Sequence, residues 1–235
     1  MDPLSLLVAE PGRAGLFLDV DGVLAPIVAH PEDARVPEET RAELRRLASR
    51  YAVVACVTGR PSELARTIVG VDEVAYVGEH GLELAPDAGA WAPEIHAFAG
   101  GVSWPEVELK PLSAAFHYRT APDPDAARRQ LGPVATAALD AGLRTRWGRM
   151  VLEVLPPVDV SKGTAVRRLL EQHALRRALY AGDDTTDLDG FRALDGLEAA
   201  VRVAIASPEG PSELGEAADL VVGSPAAFLE LLKRL

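Results

Sequence analysis

Short apolar runs, each closed by a polar cluster, recur in the first third of the chain. Gly15-Leu16-Phe17-Leu18-Asp19-Val20 is apolar almost throughout, as is Tyr51 to Val57, and a shorter run spans Val74 to Gly78. Runs of this kind suit strands buried on both faces. Between them lie helical patterns. Pro37 opens one, with Glu38 and Glu39 in its first turn and Leu44, Leu47 and Ala48 on one face; Pro61 opens a shorter one with Leu64 and Ile68 inward. Strand alternating with helix predicts a parallel sheet with right-handed crossovers.

The rhythm changes from about Trp91 to Pro157. Val107 to Lys110 and Ala114 to Arg119 read as neighbouring strands. Ala126 to Leu143 reads as a helix interrupted or kinked at Gly132-Pro133, and Thr145 to Trp147 with Met150 to Leu155 as a hairpin turning at Gly148. The first rhythm then returns. Ser161 caps a helix from Lys162 to about Ala174, with Ala165, Val166, Leu169 and Leu170 as its stripe. A strand at Ala178 to Ala181, a helix at Leu188 to Leu194, and strands at Val201 to Ala206 and Asp219 to Val222 follow. Ser224-Pro225 opens a last helix with Phe228, Leu229 and Leu232 inward. The expectation is an α/β domain, residues 1–98 and 159–235, interrupted by a smaller α+β unit at residues 99–158.

Composition narrows the partners. The 235 residues carry 24 Lys plus Arg against 35 Asp plus Glu, a formal charge of −11. That balance repels phosphate backbones and anionic membrane surfaces, so neither nucleic acid nor membrane is expected as a partner. An anionic small molecule remains compatible only where local cations or a metal override the net field. Cys56 is the single cysteine, set in Val53-Val54-Ala55-Cys56-Val57, and reads as a small buried hydrophobe. The start of the sequence shows no basic region followed by an apolar core, and no apolar run approaches the roughly 20 residues of a membrane helix. A cytoplasmic monomer is the expectation.

Four polar clusters sit at expected strand ends or helix starts, where open parallel sheets bind ligands. In Asp19-Val20-Asp21-Gly22 the two carboxylates lie two residues apart and share one side of an extended backbone. Their mutual repulsion invites a hard cation such as Mg²⁺. Thr58-Gly59-Arg60 offers a hydroxyl and a bare amide to a phosphoryl oxygen. Lys162 falls in the first turn of a helix, where the dipole disfavours a cation and a nearby anion would compensate. Gly182-Asp183-Asp184-Thr185-Thr186-Asp187 crowds three acids into one strand end, again a setting for a metal.

In this order the four clusters resemble the haloacid-dehalogenase-type phosphatases, one class of which carries an α+β cap between the second and third motifs. The resemblance implies a Rossmann-like parallel-sheet core. Asp19-Val20-Asp21-Gly22-Val23-Leu24-Ala25-Pro26-Ile27, Glu79-His80-Gly81, Glu108-Leu109-Lys110 and His117-Tyr118-Arg119 are similar to trehalose-6-phosphate phosphatases more narrowly. An acidic residue usually follows Thr-Asp in the last motif of that family; Leu188 stands there instead.

What the resemblance implies is a Mg²⁺-dependent hydrolysis of a sugar phosphate. Asp19 is implied as the nucleophile and Asp21 as the acid and base. Asp19, Asp183 and the main-chain carbonyl of Asp21 are implied as metal ligands. Thr58 and Lys162 hold phosphoryl oxygens, and Asp184 and Asp187 orient Lys162 or metal-bound water. Glu108, Lys110 and Glu153 are implied as sugar contacts, with His117, Arg119, Gly59, Arg60, His80 and Gly81 as further substrate contacts. Trp91, Trp104 and Trp147 either stack on sugar or are buried in the cap. Sucrose phosphate, mannosylglycerate phosphate and a catalytically silent sugar-phosphate-binding module are the competing readings.

Overall fold

The computed structural model describes residues 3–28, 31–207 and 210–235, and divides into two compact units. The first comprises Met1–Gly81 with Val160–Leu235, the second Leu82–Asp159. In the first, α1 (Pro3–Ala9) precedes β1 (Ala14–Leu18), α2 (Glu38–Ala48), β2 (Val53–Val57), α3 (Ser62–Val69) and β3 (Ala75–Val77). The second unit holds α4 (Ala92–Gly100), β4 (Val107–Leu109), β5 (Ala114–His117), α5 (Pro124–Asp140), β6 (Arg144–Gly148) and β7 (Val151–Leu155). The chain returns to the first unit with α6 (Lys162–Gln172), β8 (Arg177–Gly182), α7 (Asp187–Arg192), β9 (Ala199–Ile205), α8 (Ser212–Ala217), β10 (Leu220–Val222) and α9 (Pro225–Leu232).

The first unit is a six-stranded sheet in the order β10-β9-β8-β1-β2-β3, with every pairing parallel. Every residue of β1, β2 and β8 is buried, because helices cover both faces and leave no polar side to these strands. One core layer packs Leu16, Leu18, Val54, Cys56, Leu179 and Val203 against Leu44, Leu47, Ile68 and Phe228. Cys56 is fully buried there, and burial pushes its thiol well above the ordinary value. Leu64 departs from expectation. It is exposed, and Ala65, Ile68 and Val69 form the inward stripe of α3 instead. The helix rotates so that two β-branched side chains reach the core.

The second unit is a four-stranded antiparallel sheet in the order β4-β5-β7-β6. Ala114, Phe116, Leu152 and Val154 pack on Ile95 and Ala99 of α4 and on Leu131 and Ala138 of α5. Alternation sends Glu108, Ala115, Glu153 and Arg146 to the opposite face, where the strand register aligns them in one row. The unit begins at Leu82, not at residue 99. The earlier start follows from α4, a short helix absent from the sequence reading, whose Ile95 and Ala99 belong to this second core. α5 runs on through the expected interruption. Its Asp123 cap accepts from the Ala126 amide at 2.9 Å, exposed Pro133 lies inside the helix, and buried Leu131 and Ala135 anchor it on either side. Trp91, Trp104 and Trp147 are all partly buried against this core. No helix among the described residues is long and apolar enough to cross a membrane.

Two helical glycines make opposite predictions. A Cβ at Gly190 in α7 would run into the Tyr180 ring, whereas one at Gly215 in α8 meets nothing within 4 Å. Gly190→Ala is expected to lose about 1–3 kcal/mol of unfolding free energy through overpacking. Gly215→Ala should gain about 0.5–1 kcal/mol, because alanine loses less backbone entropy in a helix. Urea denaturation of both variants beside the wild type measures the two signs.

Candidate active site

β1 and β8 are central neighbours in register, Leu18 opposite Ala181, and the Asp19 amide continues the ladder to the Ala181 carbonyl at 3.0 Å. Asp19 and Asp183 therefore leave the sheet side by side, at the carboxyl ends of the strands where the chain order reverses. Gly22 allows them to stay close. Its φ of +78° suits glycine, and a Cβ there would collide with the Asp183 carboxylate. Ser161 caps α6 with a reciprocal pair, its hydroxyl accepting from the Thr164 amide while its own amide donates to Thr164 Oγ1. That cap fixes the position of Lys162 in the first turn.

Lys162 is 2 % exposed, and its Nζ lies 2.8 Å from both Asp19 Oδ2 and Asp187 Oδ1. The second oxygen of Asp19 accepts from the Val20 amide at 2.7 Å. Asp187 is completely buried and accepts four bonds. Lys162 Nζ and the Tyr180 hydroxyl donate to Oδ1, at 2.8 and 2.7 Å, and the Asp183 and Asp184 amides donate to Oδ2, each at 2.9 Å. Burial holds the Asp19 carboxyl well above its ordinary value in spite of Lys162, and Asp187 and Asp183 push the same way. For Lys162, burial opposes the charge, but Asp187 and Asp19 outweigh it and raise the ammonium. For Asp187, burial is again opposed by Lys162 and by the donors around it, which prevail and lower the carboxyl.

Ligand oxygens of Asp19, Asp183 and Asp187 lie within 4.8 Å of one another. Three buried acids face one buried lysine, a charge imbalance that a divalent cation would correct. Asp187 spends both oxygens on four donors, so Asp19 and Asp183 are the carboxylates suited to hold a metal. The donor set is all oxygen and fits a hard ion such as Mg²⁺. The Asp21 side chain stands apart from this group. Arg60 holds it in a fork, Nε to Oδ2 at 2.7 Å and Nη2 to Oδ1 at 2.8 Å, and the carboxylate is 37 % exposed. The two carboxylates expected on one side of the backbone thus occupy two environments, since Arg60 in the loop after β2 holds the second acid as the chain turns at Gly22.

That loop places Thr58 and Gly59 beside His80. Thr58 is buried, and its carbonyl accepts from the His80 amide at 2.8 Å. A Cβ on Gly59 would collide with the His80 ring, and Gly81 lies against Ser161 and Ala165 at the start of α6. Asp184 is half-buried, with its amide committed to Asp187. Leu188 continues the turn through its amide to Thr185.

Glu108, Lys110, His117, Arg119 and Glu153 belong to the second unit. Lys110 Nζ lies 3.0 Å from Glu153 Oε1, and His117 Nε2 lies 2.9 Å from Glu108 Oε2. Arg119 is half-buried beyond β5. Trp104 donates to the His117 carbonyl at 2.7 Å, and Trp147 sits under the Arg128 guanidinium at 4.4 Å. Sequence reasoning missed Tyr180, whose hydroxyl supports Asp187, and Arg146, which holds Glu153. The hairpin pairing contained the signal for Arg146; Tyr180 lay inside a run read as purely apolar.

The parallel sheet with acids at its central strand ends, and an inserted antiparallel unit, is the fold of the haloacid-dehalogenase-like hydrolases. A member of that class from Bacteroides thetaiotaomicron superposes with a TM-score of 0.62 at 16 % identity, covering 94 % of this chain and 99 % of that one. The C. albicans trehalose-6-phosphate phosphatase C-terminal domain superposes with a TM-score of 0.78 at 23 % identity, covering 98 % and 94 %. The trehalose-phosphatase family profile matches residues 17–104 and 105–219, and the chain belongs to that family. A trehalose-phosphate phosphatase of Mycobacterium avium (strain 104) is 35 % identical over 247 residues, which cover 94 % of this chain and 61 % of the relative. The chain thus spans about three fifths of the length of that relative.

Removing the cation at the centre of the site should reverse the sign of the pH dependence that Asp187 contributes. In the native protein, Asp187 sits below its ordinary value, so its contribution to stability is present above that value and fades as pH falls. In Lys162→Met, Asp19 and Asp187 lose their main attraction while still buried. Asp19, already above its ordinary value in the native protein, rises further, Asp187 moves above its own, and stability is lost as pH rises. Chelator-treated Lys162→Met is expected to lose about 3–5 kcal/mol at pH 7 and distinctly less at pH 4. Urea unfolding at the two pH values measures both losses, and an equal loss at both contradicts the electrostatic account.

Proposed function

We propose that the protein is a Mg²⁺-dependent phosphatase that hydrolyses trehalose 6-phosphate to trehalose and phosphate through an aspartyl-phosphate. The observation that carries this reading is the buried Asp19–Lys162–Asp187 arrangement beside Asp183 at the strand ends. A carboxylate so fixed, with a lysine on one oxygen, is a nucleophile aimed at a phosphorus whose oxygens the same lysine attracts. The specific sugar comes from the trehalose-phosphate phosphatase relatives.

In the first half-reaction Asp19 forms a bond to phosphorus as the bond to the sugar oxygen breaks in line. Asp21 delivers its proton to the departing oxygen, which requires its carboxyl to leave the Arg60 fork. In the second, Asp21 takes a proton from water as the water oxygen bonds to phosphorus, and the Asp19 carboxylate departs. Thr58 and Lys162 hold the oxygens on which charge develops. Asp183 and Asp19 would hold Mg²⁺, which when bound neutralises the phosphate charge next to the attacking carboxylate. Asp184 and Asp187 orient Lys162 and would support the metal's surroundings. Gly59, Arg60, His80 and Gly81 line the core side of substrate binding. Glu108, Lys110, Glu153, His117 and Arg119 of the second unit read the sugar. A small-molecule substrate, a cytoplasmic setting and a monomeric state complete the reading.

Phosphate release from a panel comprising trehalose 6-phosphate, sucrose phosphate, mannosylglycerate phosphate and an aryl phosphate tests this directly. Trehalose 6-phosphate is expected to give the highest kcat/KM, chelator to abolish release and added Mg²⁺ to restore it. Preference for another sugar phosphate overturns the substrate, and full activity after exhaustive chelation overturns the metal role. Asp19→Asn should lower kcat by about 10,000-fold or more with unchanged circular dichroism. Glu153→Gln, which keeps the shape of the side chain, should lower kcat/KM for trehalose 6-phosphate by about ten- to a hundredfold, and for the aryl phosphate by much less. Equal losses on the two substrates would remove Glu153 from sugar recognition.

A further inference from the structure

Glu153 lies on β7, one of the two inner strands of the second sheet, and is only 4 % exposed. Its side chain points away from the helical layer, because its neighbours Leu152 and Val154 fill that layer. Lys110 Nζ meets Oε1 at 3.0 Å. The register of the adjacent hairpin puts Arg146 directly opposite Glu153. The guanidinium closes on Oε2 through two nitrogens, Nε at 3.0 Å and Nη2 at 2.7 Å. Each oxygen of the carboxylate thus has its own cation, and the two cations come from different edge regions of the sheet.

The contacts differ in what they fix. An ammonium on a flexible stem constrains distance only, whereas a planar guanidinium reaching one oxygen through two N–H groups also constrains the torsion of the carboxylate. Glu153 comes from a strand, a rigid support, but its own χ angles are free to turn unless something across the strand holds them. Arg146 does so from the hydrogen-bonded neighbour. Ala115, on the other side of Glu153 in the same row, is too small to contribute.

We propose that Arg146 is a positioning residue for sugar recognition, setting the orientation in which Glu153 meets the substrate's hydroxyls. This rests on the reading of the second unit as the sugar-reading part of the enzyme. A residue of this kind acts through binding, so its loss falls on KM for the sugar phosphate and depends on Glu153 being a carboxylate. A residue that merely stiffened the sheet would lower thermal stability without either signature.

The experiment compares Arg146→Lys and Arg146→Gln, each alone and combined with Glu153→Gln. The substrates are the sugar phosphate that the wild type hydrolyses best in the panel and an aryl phosphate. The thermal midpoint of every variant is recorded. Arg146→Lys keeps the charge and loses the fork; it should raise KM for the sugar phosphate about five- to tenfold with kcat changed by less than about twofold, and Arg146→Gln should raise it further. In the Glu153→Gln background the same substitutions should change KM by less than about twofold, the mark of two residues acting as one unit. A wild-type KM in Arg146→Lys, losses that add to those of Glu153→Gln, or equal losses on both substrates overturn the proposal. The two readings fail differently. A wild type without preference for any sugar phosphate over the aryl phosphate overturns the functional reading. A preference lost in Glu153→Gln but kept in both Arg146 variants overturns this inference alone.

Discussion

A single ammonium, that of Lys162, holds two buried carboxylates from different parts of the chain at 2.8 Å each. Asp19 comes from the end of β1 and Asp187 from the start of α7, while Lys162 starts α6. The contact therefore ties the sheet to two helices at the point where the chemistry is expected. Burying three charges is costly, and the contact persists only because each is satisfied in detail. Asp187 takes four donors, and Asp19 takes a backbone amide as well as the lysine. The surrounding glycines follow from the same crowding. A side chain at Gly182 would enter the Asp187 carboxylate, and one at Gly163 would strike the α7 backbone at Asp189.

The second unit inverts this arrangement. There a carboxylate, Glu153, is held between two cations, Lys110 and Arg146, on the face of an antiparallel sheet opposite its helices. Neither centre is an economical way to stabilise a fold, since well-packed apolar groups of the same volume would serve as well or better. Their common property is a charged group fixed in position before a ligand arrives. Preorganisation of that sort lowers the reorganisation needed on binding, and it is most useful where the ligand itself offers only hydroxyls and a phosphoryl group.

Much of the core was legible because its signals are local. Asp19, Thr58, Lys162 and Asp183 each sit at the end of an apolar strand or the start of a capped helix, and a parallel sheet gathers such ends on one side. The features that escaped depend on what lies opposite. Tyr180 reads as one more apolar residue in β8 until the turn after it brings Asp187 back to its hydroxyl. Arg146 gains meaning only from the hairpin register, which pairs it with Glu153 and follows from the turn between Gly148 and Val151. The start of the second unit was misplaced because α4 is short, carries a proline in its first turn and buries only Ile95 and Ala99, too little pattern for periodicity to reveal. Leu64 failed for the opposite reason. A short helix leaves its rotation to the packing of Ile68 and Val69.

Asp19 and Asp21 show how one turn supplies two kinds of carboxylate. They are two residues apart, yet one is buried on a lysine and the other is more than a third exposed in the fork of Arg60. A nucleophile must be immobile, since displacement of the attacking oxygen by even an ångström is costly. A residue that first gives and later takes a proton needs contact with water instead, which the exposure of Asp21 supplies. Gly22 is what separates the two. Its positive φ turns the chain away directly after Asp21, while the absence of a side chain leaves Asp183 next to Asp19. Any other residue at that position would push Asp183 away and strain the turn at the same time, so the proposed division of roles between the two aspartates and the closeness of the acids around Lys162 depend on one and the same glycine.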